Sequence, residues 1–173
     1  MVKTVHLTPE EIAATLSDSY EKKMTLASLH AFLKNGLTYQ TRTTWKPKNS
    51  MEPDSYRVFC YVKKSKEAMI LNTKYYDTGS FLLQIRILDS STFEKLDDYS
   101  ENIRNQILCA PYECRNCGCG EKAYVFHYSG REYRKCHMLC GNFRVCIRND
   151  EDIDSVMDII NREILFGMSR HGK

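Results

Sequence analysis

Residues 56–87 read YRVFCYVKKSKEAMILNTKYYDTGSFLLQIRI, and their short apolar runs decide the fold class. The runs 56–62, 68–76 and 80–87 have strand length and are rich in β-branched and aromatic residues. The polar link KKSKE (63–67) lets the first two pair as a hairpin. The third, SFLLQIRI, is apolar enough near its start to be buried on both faces.

Outward from this block the period changes. LTYQTRTTW (37–45) alternates loosely and reads as another strand, followed by a loop whose two prolines would break a ladder. Earlier still, Thr8-Pro9-Glu10-Glu11 supplies a capping hydroxyl, a proline at the first helical position and a carboxylate at the third. Leu26, Leu29 and Leu33 then recur at helical spacing up to Asn35-Gly36, predicting one broken helix or two short ones over 8–35. Downstream, Ser90 or Ser91 caps a helix carrying Phe93, Leu96, Ile103 and Ile107.

A second block follows. KAYVFHY and REYRK flank the turn signal Ser129-Gly130, and NFRVCIR (142–148) is a further strand. Asn149 or Asp150 caps a last helix with Ile153, Val156, Met157, Ile160 and Ile164 on one face, and GMSRHGK is expected to fray. The stretches starting at Tyr61 and Tyr124 share an order: hairpin, strand, Ile-Arg, polar cap, helix. This pattern allows a ββ(β)α duplication; the alternative is two ordinary hairpin–strand–helix units. The expectation is one α+β domain over 1–173, with an antiparallel or mixed sheet and flanking helices.

Length and composition set limits on function. At 173 residues, with 42% hydrophobic and 27% charged residues, the chain can bury a core without staples. No stretch approaches the ~20 apolar residues of a membrane span, and the N-terminal residues lack a signal-peptide core. The expected location is cytoplasmic, with no membrane partner. A net charge of +3 is too mild to argue for nucleic acid by itself.

The sulfurs are not spread evenly. Seven of the eight cysteines lie between Cys109 and Cys146. A reducing compartment disfavours disulfides, which leaves thiolates on a metal as the leading account. Cys114-Arg-Asn-Cys117 and Cys136-His-Met-Leu-Cys140 are two pairs separated by a predicted hairpin, each followed by a glycine, Gly118 and Gly141. Paired thiolates can bite one metal from a tight turn, and a second pair closes a tetrahedron. Residues 109–146 thereby resemble a zinc ribbon, integrated into the second half of the domain. The resemblance implies a structural zinc held by Cys114, Cys117, Cys136 and Cys140. The second pair is C-x3-C where a ribbon has C-x2-C, so Cys119, Cys109 and His137 stand as reserves, with Cys146 read as a strand residue. The wider stretch from ENIRNQIL to IINREI also resembles a group of small bacterial proteins with no activity to carry over.

Other chemistries fit less well. Cys114, Cys117 and Cys119 form C-x2-C-x-C, which an iron–sulfur cluster could use, but no ferredoxin run follows. A redox or metal-sensing thiol pair is the third account of the same cysteines. No phosphate-binding glycine loop, nucleophile elbow or zinc-hydrolase motif is present, so no catalytic residue is assigned. Cys60 sits in an apolar run and reads as a small buried hydrophobe. Arg131, Arg134, Lys135 and Tyr128 form a basic, aromatic set on the hairpin 122–135 that could meet nucleic acid, unless its rings pack as core. Eleven tyrosines and the single Trp45 permit a cleft for a small ligand. The functional expectation is a non-enzymatic domain binding a small ligand or protein partner, with nucleic acid as the alternative partner.

Overall fold

The computed structural model describes residues 4–44, 55–63, 66–75, 80–110, 124–135 and 143–169. Their class is α+β. Strands β1 (Thr4–Val5), β2 (Thr38–Thr44), β3 (Ser55–Lys63), β4 (Lys66–Tyr75), β5 (Ser80–Ile85) and β8 (Phe143–Val145) form a six-stranded sheet in that order. Strands β6 (Tyr124–Tyr128) and β7 (Arg131–Lys135) form a second, two-stranded sheet. Every pairing is antiparallel, so among the described strands the mixed arrangement is not realised.

The region 8–35 forms two helices, α1 (Pro9–Ala14) and α2 (Ser19–Lys34). Thr8 and Glu11 make the reciprocal capping box, Glu11 N donating to Thr8 Oγ1 and Thr8 N to Glu11 Oε2. Asp18 starts α2 by accepting from the amides of Tyr20 and Glu21, and Gly36, at φ +68°, lets the chain turn out of it. The single helix expected after Ser90 is broken. It becomes α3 (Ser91–Glu94), a 3-10 turn (Leu96–Asp98) and α4 (Glu101–Cys109). Ser100 makes the break: its extended backbone (ψ 149°) restarts the helix, and its Oγ accepts from Ile103 N. The spacing of Leu96 and Ile103 fits one helix or two.

The last helix, α5 (Asp150–Ser169), starts where expected, with Asn149 Oδ1 accepting from Asp152 N. It runs further than expected, because Gly167, Met168 and Ser169 are helical and Gly167 is buried. Strand β1, which pairs Thr4 with Arg42, is too short to leave a periodic signal.

One row of residues crosses the sheet, and its described side chains face the helices. Register aligns Thr41, Val58, Leu71, Leu83 and Val145. The described members of that row are buried, as are Cys60, Met69, Ile85 and Phe143. They pack with Met24, Leu29 and Phe32 of α2, Ile103 and Ile107 of α4, and Val156, Ile159, Ile160 and Ile164 of α5. Helices therefore cover one face of the sheet. Strand β5 is not buried alike on both faces: Leu83 and Ile85 are buried, Leu82 and Gln84 only partly.

The two blocks share their element order but not their sheet. The β3–β4 hairpin continues into β5, whereas β6–β7 stands apart and β8 joins β5 through Leu83↔Val145 and Ile85↔Phe143. The hairpin turns through Ser129 and Gly130, both at positive φ, and its ring-bearing face packs against α3. Phe93 stacks on Phe126 at 4.6 Å and 8° and meets Tyr124 at 5.6 Å, while Phe126 stacks on its cross-strand partner Tyr133. Tyr124 Oη donates to Leu88 O, and Tyr128 Oη to Asp97 Oδ1.

Candidate metal centre and its scaffold

Cys114, Cys117, Cys136 and Cys140 lie outside the described residues, as do Cys119, His137, Gly118, Gly141 and Trp45. What the structure describes is the scaffold from which 111–123 and 136–142 depart and to which they return.

Four chain positions frame that scaffold. Helix α4 ends at Cys109 and is followed by Ala110. A helix C-terminus leaves carbonyls without partners in the helix. Lys135, the last residue of β7, reaches them: its Nζ donates to Leu108 O at 2.9 Å and Ala110 O at 2.6 Å. The side chain is 8% exposed, and burial holds its amine below the ordinary lysine range while the Cys109 thiol works in the opposite direction. A lysine ammonium on helix C-terminal carbonyls is favoured by hydrogen bonding and by the helix dipole.

Tyr124 is the cross-strand partner of Lys135, so the chain enters β6 beside the point where it leaves β7. The return to β8 is held by α4 as well. Gln106 pairs with the backbone of Cys146 as a strand would, Oε1 accepting from its N at 2.7 Å and Nε2 donating to its O at 2.9 Å. Asn102 Nδ2 donates to the same carbonyl and to Asp152 Oδ2. Asp152 is fully buried, and its carboxylate also accepts from Ser100 Oγ and Arg148 N. The net joins α4, the end of β8 and the first turn of α5.

Of the described cysteines, Cys60 has the expected environment, whereas β8 ends at Val145 and leaves Cys146 just outside the strand expected over 142–148. Cys60 is buried in the core. Cys109 and Cys146 are exposed free thiols, and Cys146 shares the outer face with Arg144 and Arg148 while Phe143 and Val145 point inward. Among the described residues no three His, Cys, Asp or Glu side chains come together as a metal site.

The hairpin set is divided. Register puts Tyr128, Arg131 and Lys135 on the face that carries Tyr124 and Phe126, and Arg134 on the other with Val125 and exposed His127. Arg131 and Arg134 are exposed, Arg134 pairing with Glu132, whereas Lys135 serves α4 and Tyr128 serves Asp97. The rings of Tyr124, Phe126 and Tyr128 are partly buried and pack against the core.

Several polar residues escaped sequence reasoning. Lys135, Asp152 and Glu163 are charged residues in the interior, and no spacing announces such a burial. Ser100 three residues before Ile103 was the one available signal, a cap within an apparently continuous helix. A groove of about 550 Å3 runs between the 3-10 turn and α5, lined by Lys95, Tyr99, Asp158 and Arg162 among others. The Arg162–Asp158 ion pair lies in it. None of the described helices is long and apolar enough to cross a membrane. No protein family, curated protein or solved structure matches the chain.

Proposed function

We propose that the chain is a non-enzymatic binding domain whose second half is held together by one structural zinc on Cys114, Cys117, Cys136 and Cys140. One observation carries the reading. The segments bearing these residues depart from neighbouring anchors, because Lys135 bonds Ala110 on one side and pairs with Tyr124 on the other. Cys136 follows Lys135 directly, and Cys114 is four residues beyond Ala110. Short tethers from a common base favour a shared ligand set, since closing them costs little chain entropy.

Charge supports the same reading. Four thiolates on a divalent ion leave a net negative centre, and basic residues outnumber acids seven to three between Cys109 and Arg148. Zinc in such a set has no open position, so it supplies cross-linking and no Lewis-acid chemistry. The protein's own contribution is to hold the departure points in place through Lys135, Gln106 and Asn102.

Chelation tests the reading. Removing metal with a strong chelator should lower the melting temperature, and re-adding zinc should restore it. Cys136→Ser should abolish both the restoration and the metal. A melting temperature indifferent to chelator and zinc would contradict the proposal, and a brown protein with iron would replace zinc by an iron–sulfur cluster.

A further inference from the structure

We propose that the sheet face turned away from the helices binds single-stranded nucleic acid, with Arg42 and Arg57 taking phosphates and Tyr61 a base. This rests on the reading of the chain as a binding domain and is independent of its metal, since no cysteine takes part.

The surface is built by β2 and β3. Register pairs Arg42 with Arg57, Gln40 with Phe59 and Thr38 with Tyr61, all on the face opposite Thr41, Val58 and Cys60. Phe59 is 8% exposed, yet it lies outside the core cluster under the helices. The guanidinium carbons of Arg42 and Arg57 sit 4.7 and 5.0 Å from its ring centroid. The ring therefore carries two cations on its own side of the sheet.

Among the described residues that arrangement has no anion. Like charges directly opposite one another across a strand pair repel, and the ring quadrupole offsets only part of this. Neither arginine has a carboxylate partner among the described residues. Arg42 Nη2 donates only a long bond, 3.5 Å, to Gln40 Oε1, and Arg57 Nε is buried without an acceptor. Tyr61 is half-buried, its Oη donating to Gln40 at 3.4 Å. Across β4, where Glu67 pairs with Tyr61 beside a bulge, Leu82 and Gln84 of β5 and Arg144 of β8 continue the face by register.

The chemistry favours a single strand over other anions. Arginine forks match phosphate oxygens, and flat guanidinium and phenol faces match bases splayed over a sheet. The bases of a duplex are already stacked on one another and leave no face free for a phenol ring. A membrane surface would need apolar side chains to insert, and among the described residues the exposed large apolar ones, Leu33, Val125, Leu165 and Met168, lie elsewhere.

Fluorescence anisotropy with labelled mixed-sequence RNA and DNA single strands of ~12 nucleotides tests this on the full chain. Binding at about 50 mM salt should weaken steadily as salt rises. Arg42→Gln with Arg57→Gln should weaken it at least about tenfold and reduce the slope of log K against log salt by about 1.4, or 0.7 per phosphate. Arg42 is exposed, so Arg42→Gln alone folds and should remove about half of that slope. Arg131→Gln with Arg134→Gln should bind as the parent does. The proposal is overturned if neither oligonucleotide binds at low salt or if the Arg42/Arg57 variant binds like the parent. A preference for poly-glutamate or phosphatidylserine vesicles over both oligonucleotides would overturn it equally. Zinc content measured on the same samples separates a failure of this surface from a failure of the metal reading.

Discussion

Glu163 lies on the buried side of α5 with 4% exposure, and its carboxylate accepts from Leu88 N at 2.9 and 3.0 Å and from Asp89 N at 3.1 Å. Burial raises its pKa from 4.5 to about 7, against the lowering effect of those amides. Between these values the folded chain keeps a proton that the unfolded chain releases, so this group's contribution to stability falls as pH rises from about 4.5 to 7. The full change is about 3 kcal/mol at 1.36 kcal/mol per unit. Gln at 163 cannot ionise. Urea titrations of the parent and Glu163→Gln should therefore show a stability difference that shifts by about that amount, in favour of the variant, between pH 4.5 and pH 8. An unchanged difference would contradict the assignment. Lys135→Met keeps the stem and removes the donor, leaving the Leu108 and Ala110 carbonyls without it. A loss of about 1–3 kcal/mol in the same titration is expected. Neither residue could be found from sequence, because isolated charged residues are expected on the surface and only their three-dimensional partners reveal otherwise.

Among the elements, the β6–β7 hairpin depends most on a single residue. It forms its own sheet, and Phe93 stacks on Phe126 and meets Tyr124 at a tilt. Phe93→Ala should cost about 3–5 kcal/mol and raise amide exchange in the hairpin more than in β2–β5, measured by hydrogen exchange. Uniform acceleration would mean that the ring supports the whole core and not the hairpin. The elements themselves were largely legible. Thr8 with Glu11, Asn35-Gly36 and Ser129-Gly130 announced their boundaries by local chemistry, and the structure uses each in that way. The break at Ser100 and the helical extension to Ser169 were not legible. The first depends on a competing cap, donated back to Ser155 Oγ by Ser100 N, and the second on burial of Gly167. The rings of the hairpin face fit either core or a base-stacking platform by sequence, and Phe93 packs against two of them.

At the scale of the whole molecule, the α+β class followed from the short runs of 56–87 and the helical periods on either side. Sheet order did not follow. Strand β8 crosses to β5 and leaves β7, and only the packing of Val145 and Phe143 into the common core accounts for that. Ala110, Lys135 and Tyr124 are neighbours, Lys135 bonding the first and pairing with the second. The cysteine spacing points to a four-sulfur site, and the described residues that flank those segments are held by the Lys135 bonds to α4 and the Gln106 pairing with Cys146. Metal analysis of the purified chain combined with a thiol titration tests this account most directly. It predicts about one zinc per chain, about four thiols protected until the zinc is removed, and prompt reaction of the exposed Cys109 and Cys146. A folded, metal-free chain in which every thiol outside the core reacts at once would contradict it.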